Sequence, residues 1–301
     1  WRDGAWWTAA ALTVGLIVYL GLDMRHTERS FRPGEHNVLT ERSFYGVLHV
    51  SDPDDPTDDL AARTLANGTI DHGEQFLDPK KHMQPGTYYG PDTGVARAIR
   101  EAQARGPVRV GVIGLGAGTL ACFGRRGDWF RFYDINPQVV QVANTEFTFL
   151  RDCRAAHDVV LGDARLSLER EPPQGFDVLV VDAFSGDSIP IHLLTREAFA
   201  LYFRHLRPGG VLAVHVTNLF LDLAPVVAQS AQAVGKEAWL VETPEDDSAN
   251  LFPTEWALVT GRDGFWQGPL VKDAVEAIPA RRGLRLWTDD YSNLFQILKR
   301  D

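Results

Sequence analysis

Strand-like and helix-like segments alternate at short spacing from residue 93 onward, and this alternation restricts the fold more than any other feature. Apolar, strand-like runs occupy 108–116, 129–135, 158–164, 176–184 and 211–218, with helical patterns at 93–104, 137–149 and 193–206. Parallel strands need a crossover connection, and that connection is usually a helix. Because the strands are almost continuously apolar, helices are expected on both faces of the sheet. The pattern predicts an α/β fold with a doubly wound parallel sheet within residues 91–301.

The segment from residue 41 to residue 90 has a different pattern, with two short strand-like stretches at 43–50 and 63–70. The acidic run 51–59 separates them and is typical of a hairpin loop. Asn67 and Gly68 form a second turn signal, because this pair accepts the positive φ angles of tight hairpins. We therefore expect a small antiparallel β domain before the α/β domain.

The stretch Gly4–Leu22 contains nineteen residues without a charge. As a helix it would span ~28 Å, close to the hydrocarbon thickness of a bilayer. A buried core helix and a signal-peptide remnant are the alternatives. The interpretation as a membrane helix over residues 1–25, with a linker at 26–40, places the rest of the chain at the cell membrane facing the cytoplasm. It depends on interfacial aromatic residues and on the arginines that follow: Trp6, Trp7, Tyr19, Arg25, Arg29 and Arg32.

Charge and cysteine content exclude several classes of function. The net charge is −10 and no basic stripe is visible, so no nucleic-acid partner is expected. The two cysteines, Cys122 and Cys153, are too few for a disulfide framework or a four-sulfur zinc site. Metal-ligand spacings such as Cys-x-x-Cys are absent, so no metal is expected. The motif Gly-x-Ser-x-Gly is also absent, so the sequence gives no support to hydrolase chemistry.

A glycine cluster and an acid follow the first two strands of the predicted parallel sheet. The last residues of the apolar run 108–116 and the residues after it form a glycine turn that contains Gly114, Gly116 and Gly118. Glycine at this position permits a tight turn and the close approach of a ligand. Asp134 follows about twenty residues later, at the end of the next strand, where a carboxylate can accept both hydroxyls of a ribose. The combination predicts a nucleoside site.

Two more acids lie where later strands end. Asp163, after Gly162, is in a position to accept the exocyclic amine of adenine or to cap a helix over 164–170, and the sequence leaves both roles open. Asp182 lies near the end of the strand-like run 176–184, directly after its apolar part, at the sheet edge where such folds bind their ligands. His205 and His215 fall in a predicted helix and strand, and core or surface roles are expected for both.

These motifs resemble those of known families. The Gly-x-Gly-x-Gly turn with its spaced acids is similar to Rossmann-like class I S-adenosylmethionine-binding domains. Residues 41–298 resemble the spermidine synthase (polyamine aminopropyltransferase) family, and the lead-in helix resembles its bacterial membrane-fused branch. The segments that carry the resemblance are Asn67-Gly68, the aromatic segment before the glycine turn, Tyr133-Asp134-Ile135-Asn136, Gly162-Asp163, Val181-Asp182-Ala183-Phe184 and Pro253-Thr254-Glu255-Trp256.

The resemblance implies roles for individual residues. Asp182 is implied as the catalytic base, with Asp187 on the loop 185–190 replacing a second family acid. S-adenosylmethionine, decarboxylated or intact, is the implied co-substrate, a small amine is the acceptor, and a homodimer is the implied assembly. The resemblance assigns donor binding to Gly114, Gly116, Gly118, Asp134, Ile135, Gly162, Asp163, Ala164 and Gln75, and acceptor binding to His72, Tyr88, Tyr89, Glu255 and Asp289.

Several positions depart from the family pattern. Ser185 stands where the family has its second acid, Gly90 replaces a glutamate, and Glu255 replaces a tyrosine. The acids at 289 and 290 fit a solvated turn equally well. Aminopropyl transfer is the leading hypothesis on the strength of the nucleotide-site residues, and the departures on the acceptor side leave other reactions open. Methyl transfer, an intramolecular displacement that releases methylthioadenosine, and a non-catalytic nucleoside- or polyamine-binding domain are the alternatives.

Overall fold

The computed structural model describes residues 13–19, 34–68, 70–184 and 190–299. The first sheet has four antiparallel strands in sequential order. The acidic run begins in the last residues of β2 and continues through the β2–β3 connection, and the Asn67-Gly68 turn joins β3 to β4, so the predicted antiparallel sheet is confirmed. Its strands are β1 (Glu35–Ser43), β2 (Gly46–Pro53), β3 (Ala62–Asn67) and β4 (Ile70–Phe76).

The second sheet contains eight strands in the order β12-β10-β11-β9-β8-β5-β6-β7. Strands β5 to β9 are parallel to one another, as predicted, whereas β11 pairs antiparallel with β9, and β10 and β12 continue the sheet antiparallel at that edge. The strands are β5 (Arg109–Ile113), β6 (Trp129–Asp134), β7 (Ala156–Leu161), β8 (Phe176–Val181), β9 (Leu206–His215), β10 (Glu237–Thr243), β11 (Thr254–Thr260) and β12 (Glu276–Ala277).

Helices connect these strands. Pro137 begins α2 as a preset first-turn residue, but the single helix predicted over 137–149 is two helices. The helices are α1 (Gly94–Gln103), α2 (Pro137–Thr145), α3 (Phe149–Asp152), α4 (Ala164–Arg170), α5 (Arg196–His205) and α6 (Ala224–Ala233). Short 3₁₀ helices cover Thr119–Phe123, Ile191–Leu193, Asp247–Ala249, Phe265–Gln267 and Leu294–Ile297.

The apolar core lies on both faces of the larger sheet. All six residues of β8 are buried, which is the burial expected of a central strand covered by two layers. One core layer packs around α1 and the other around α5 and α6. This double cover leaves the carboxyl ends of the parallel strands as the open edge.

Contacts from the small sheet to the larger domain fix its position over that edge. Arg63 on β3 pairs with Asp52 on β2 at 2.7 Å, and its Nη1 donates to the carbonyl of Glu146 after α2 at 2.9 Å. The amide of Ala117 in the glycine turn donates to the carbonyl of His72 on β4 at 3.4 Å. The small sheet therefore forms a wall above the strand ends.

Within the described residues, no helix is long and apolar enough to cross a bilayer. Residues 13–19 are helical and exposed. The rest of the predicted membrane segment Gly4–Leu22, and residues 26–33 of the predicted linker, lie outside the described residues. Residues 35–40 are not a linker, because they belong to β1 and pair with β2.

Candidate active site

A cavity of about 330 Å³ lies between the small sheet and the carboxyl ends of the parallel strands. This is the edge at which open α/β sheets bind ligands, and the sequence analysis placed its acids there. The volume falls within the usual range for small-molecule sites. The walls come from β4, the glycine turn, and the segments that follow β6, β7, β8 and β9.

The glycine turn is packed so tightly that two of its positions cannot carry a side chain. Gly114 has φ +98°, and a Cβ there would lie 2.3 Å from the carbonyl oxygen of Asp182. Gly116 has φ +54°, and its Cβ would lie 2.5 Å from the carbonyl oxygen of His72. Both glycines line the cavity. Gly118 is not among the wall residues, which corrects its assignment to donor binding, because it caps the following 3₁₀ helix. The turn therefore packs directly against the segment that follows β8 and against β4 of the small sheet.

Asp134 at the end of β6 is held in one orientation. Its Oδ2 accepts a hydrogen bond from the Leu115 amide at 2.9 Å, and its Oδ1 accepts one from the Asn136 amide at 2.8 Å. Burial raises the pKa of Asp134, and these two hydrogen bonds oppose that effect. Each oxygen keeps a second lone pair for a ligand hydroxyl. Ile135 lies beside it on the cavity wall.

Asp163 occupies the cavity wall together with Gly162 and Ala164. Its Oδ1 accepts from the Leu166 amide at 2.8 Å, so the helix-cap interpretation is confirmed for α4. Its Oδ2 lies 3.2 Å from Nε2 of His192. The cap does not remove the residue from the cavity, and contact with adenine stays a prediction.

Asp182 follows β8, and both of its oxygens have a partner. The phenol of Tyr89 donates to Oδ2 at 2.7 Å, and Nδ1 of His215 lies 2.8 Å from Oδ1. Burial, reinforced by the Asp182 charge, raises the pKa of Tyr89 well above its usual range. The phenol therefore remains a proton donor to the carboxylate.

His215 at the end of β9 is a site residue that the sequence analysis missed, since core or surface roles were expected for it. The ring is buried and stacks on Trp256 with centroids 4.5 Å apart and planes at 8°. Its Nε2 lies 2.8 Å from Oγ1 of Thr217 and 3.1 Å from Oγ1 of Thr254. The signal was available, because β9 is parallel to β8 and ends at the same edge. Its companion in that prediction, His205, is fully buried in α5, as a core role requires.

His72 and Tyr88 lie on the cavity wall, as the resemblance implied. Burial lowers the pKa of His72, and the negative charge of Asp182 opposes this effect. Its Nε2 is buried and makes no hydrogen bond in the structure. The Tyr88 ring lies 5.4 Å from the ring of His215.

Gln75 is not on the cavity wall, which corrects its assignment to donor binding. Its Oε1 accepts from the Thr148 amide at 2.9 Å, and its Nε2 donates to the His82 carbonyl at 3.0 Å. These bonds use the amide to join β4 to the start of α3. The side chain is 5% exposed, so it has a structural role.

Asp289 and Glu255 also lie outside the cavity wall. Asp289 lies exposed in a turn, as the solvated-turn interpretation predicts, and accepts from Arg165 Nη1 and from the Thr195 hydroxyl, each at 2.8 Å. Glu255 carries its carboxylate 4.0 Å from Lys299 Nζ, and burial raises its pKa. Asp187 lies outside the described residues.

The cavity wall is acidic. Four carboxylates line it, together with three histidines, and its described wall residues include no lysine or arginine. Such a cavity attracts a cationic ligand and disfavours an anionic one. The four acids are Asp71, which the sequence analysis did not identify, and the predicted Asp134, Asp163 and Asp182.

Comparison with curated proteins finds relatives of one kind. The chain is 25% identical over 221 residues to a protein named "Probable polyamine aminopropyl transferase" from Bifidobacterium longum, covering 70% of this chain and 44% of that protein. It is 34% identical over 121 residues to a polyamine aminopropyltransferase from Vibrio vulnificus, covering 38% of each. The chain thus spans less than half the length of these relatives. No family model matches it.

Comparison with solved structures shows the same fold. A probable spermidine synthase from Corynebacterium glutamicum matches with a TM-score of 0.57 at 17% identity, covering 74% of this chain and 79% of that one. Spermidine synthase from Thermotoga maritima matches with a TM-score of 0.51 at 13% identity, covering 84% and 81%. The predicted resemblance to the spermidine synthase family is confirmed in sequence and in fold.

Proposed function

We propose that this chain is a polyamine aminopropyltransferase that transfers the aminopropyl group of decarboxylated S-adenosylmethionine to a di- or polyamine and releases methylthioadenosine. The observation that carries the proposal is the acidic cavity at the strand ends, with four carboxylates and no lysine or arginine among its described wall residues. Both substrates of this reaction are cations, and a sulfonium and an alkylammonium suit that wall. The curated relatives bear the corresponding name.

The donor's adenosyl part fits the residues present. The fixed carboxylate of Asp134 is a suitable acceptor for ribose hydroxyls, as its spacing from the glycine turn predicts. Asp163 and Ala164 lie further along the same wall, where adenine would lie. Intact S-adenosylmethionine carries a carboxylate that would need a cationic partner, and this wall offers none in its described part. The decarboxylated donor is therefore favoured.

The bound donor supplies a carbon activated by the adjacent sulfonium. An alkylammonium has a pKa near 10.4, so the acceptor must lose a proton before its nitrogen can attack. The charge of Asp182 stabilises the bound ammonium, and Tyr89 and His215 fix the direction of the carboxylate. Holding both substrates in line supplies the remainder of the rate enhancement.

A product screen by mass spectrometry tests the proposal. The full chain is incubated with each donor form, with and without a panel of diamines. We expect methylthioadenosine only with the decarboxylated donor plus an amine, together with an aminopropylated amine. We also expect the intact donor to be at least about 100-fold poorer, because a stranded carboxylate costs about 3 kcal/mol or more.

Other products would contradict the proposal in identifiable ways. Methylthioadenosine formed without an amine would indicate intramolecular displacement, and S-adenosylhomocysteine would indicate methyl transfer. Measurable binding of methylthioadenosine without any turnover would support a non-catalytic nucleoside-binding domain.

We further propose that the chain is attached to the cytoplasmic side of the cell membrane and, on its resemblance to the spermidine synthase family, that it is a homodimer. The apolar stretch Gly4–Leu22 and the arginines that follow it support the attachment. Membrane fractions washed with alkaline carbonate should retain the full chain, and deletion of residues 1–25 should release it. Release of the full chain by the wash would contradict the attachment, and a monomeric mass in light scattering would contradict the dimer.

A further inference from the structure

We propose that Thr217, His215 and Asp182 form a proton relay that removes the proton of the acceptor amine. The inference rests on the proposed aminopropyl transfer and deepens it. Thr217 lines the cavity. Its Oγ1 accepts the Glu255 amide at 2.8 Å, and its second lone pair is the group to which we assign the amine proton. His215 acts through Thr217 and stores the proton, and Asp182 stabilises the charged imidazole.

The geometry of the three groups is that of a hydroxyl–imidazole–carboxylate chain. Thr217 Oγ1 lies 2.8 Å from His215 Nε2, and His215 Nδ1 lies 2.8 Å from Asp182 Oδ1. Both distances are those of good hydrogen bonds. Such a chain passes a proton from the hydroxyl to the imidazole, while the carboxylate selects the tautomer and stabilises the imidazolium.

Asp182 holds the far end of this chain. Its Oδ2 accepts the Tyr89 phenol and its Oδ1 faces the His215 ring, which fixes the carboxylate against Nδ1. An ionised carboxylate selects the His215 tautomer with hydrogen on Nδ1, which leaves the Nε2 lone pair free to accept. Nε2 thus keeps a lone pair, and the hydroxyl of Thr217, another residue of the cavity wall, lies in contact with it.

The imidazole remains hydrogen-bonded in both protonation states. While His215 is neutral, a threonine hydroxyl donates to Nε2. After proton uptake, Nε2–H donates to Thr217 Oγ1 at 2.8 Å or Thr254 Oγ1 at 3.1 Å. A hydroxyl can both donate and accept, so neither state leaves a buried polar group unpaired.

Aromatic rings and charged groups surround His215. Trp256 covers one face of the ring, and the Tyr88 and Phe184 rings approach it at 5.4 and 5.0 Å. The carboxylate of Glu255 on β11 also interacts electrostatically with His215. His72 on β4 also interacts electrostatically with the Asp182 carboxylate. The Asp182 carboxylate therefore contacts the imidazole directly, and the Tyr89 phenol that shares this carboxylate stays neutral because its pKa is raised.

The proton balance of the step is as follows. The ammonium gives one proton to Thr217 Oγ1 while the Thr217 hydroxyl proton passes to His215 Nε2. The free amine nitrogen then forms a bond to the carbon beside the sulfonium, and the carbon–sulfur bond breaks with its electron pair going to sulfur. The products are a secondary ammonium, neutral methylthioadenosine and the stored proton, which leaves to solvent after product release.

The first test measures kcat/KM against pH for the full chain and for His215→Gln. The glutamine amide keeps hydrogen-bonding groups at this position but does not titrate. We expect kcat to fall about 100-fold or more. We expect the wild-type kcat/KM to fall at acid pH, where a protonated His215 would not accept the amine proton. In His215→Gln we expect instead a steady rise of kcat/KM toward the pKa of the amine, while the KM for the donor stays within threefold. His157→Gln, the same change at an exposed histidine outside the cavity, is the matched control.

The second test separates the hydroxyl from the shape of Thr217. Thr217→Val keeps the side-chain shape and removes the hydroxyl, and should lower kcat at least about 30-fold, within the range of a lost proton-transfer group. Thr217→Ser restores the hydroxyl and should recover most of this loss. Equal losses in the two variants, or a His215→Gln enzyme with the wild-type pH profile, would overturn the relay.

A third readout does not depend on activity. Two-bond ¹H–¹⁵N correlation spectra of the labelled chain should show His215 with its hydrogen on Nδ1, and the signal should vanish in His215→Gln. A wild-type hydrogen on Nε2 would overturn the relay even in an active enzyme. An inactive wild type with the Nδ1–H form would count against the proposed function and leave the geometry of the pair intact.

Discussion

Replacement of Asp182 by asparagine is expected to lower kcat of aminopropyl transfer about 1000-fold, while the affinity for methylthioadenosine stays within threefold. The asparagine oxygen can still accept the Tyr89 phenol, but its amide group then faces Nδ1 of His215. An N–H donor at that position selects the opposite imidazole tautomer, in which Nε2 carries hydrogen and has no lone pair for a proton. Loss of the negative charge also weakens binding of the ammonium. Both effects act on the acceptor side, so nucleoside affinity is spared.

Single-turnover kinetics and isothermal titration calorimetry measure these two quantities separately. Asp273→Asn, at an exposed carboxylate outside the cavity, is the matched control and should behave as wild type. A thermal melt shows whether Asp182→Asn is folded. A folded Asp182→Asn enzyme with full activity would remove Asp182 from the proton path and from acceptor binding together.

The residues that sequence analysis placed correctly share one physical property. Gly114, Asp134 and Asp182 each follow a strand of the parallel sheet, and parallel strands bring their carboxyl ends to one edge. Position along the chain therefore determines position in space for this class of residue. His215 obeys the same rule, since β9 is parallel to β8, and the error was to treat a histidine in a strand as a core residue.

The residues that the analysis misplaced are governed by contacts remote in sequence. Gln75 is bonded to Thr148, which is 73 residues away, and Asp289 is bonded to Arg165, which is 124 residues away. No local pattern reports such partners. Asp71 was missed for the same reason, because it reaches the cavity only when the small sheet packs over the strand ends.

The antiparallel edge of the large sheet shows the same limit at the level of topology. Strand β10 pairs with β11 along its whole length, and β11 pairs in turn with β9. Strand–helix alternation predicts parallel neighbours, so it says nothing about a hairpin that returns to the edge. This edge brings Thr254 and Trp256 against His215, and the relay therefore depends on an element that the alternation did not predict.

Replacement of Asp134 by alanine should weaken methylthioadenosine binding by at least about 1.5 kcal/mol, because two ribose hydroxyls lose a charged acceptor. That free energy corresponds to a more than tenfold rise in Kd. The substitution also strands the Leu115 and Asn136 amides, which now donate to this carboxylate. A higher Kd alone would therefore not distinguish loss of the ribose contact from loosening of the glycine turn.

A double-mutant cycle on the ligand side separates these effects. Calorimetry with methylthioadenosine and its 2′,3′-dideoxy analogue, on wild type and Asp134→Ala, gives a coupling free energy that excludes the loosened turn. A direct contact predicts that wild type discriminates the two ligands by at least about 1.5 kcal/mol and that the variant nearly loses this discrimination. If Asp134→Ala discriminates as strongly as wild type, the ribose is recognised elsewhere. The carboxylate would then serve only to hold the glycine turn, which its two amide hydrogen bonds already do.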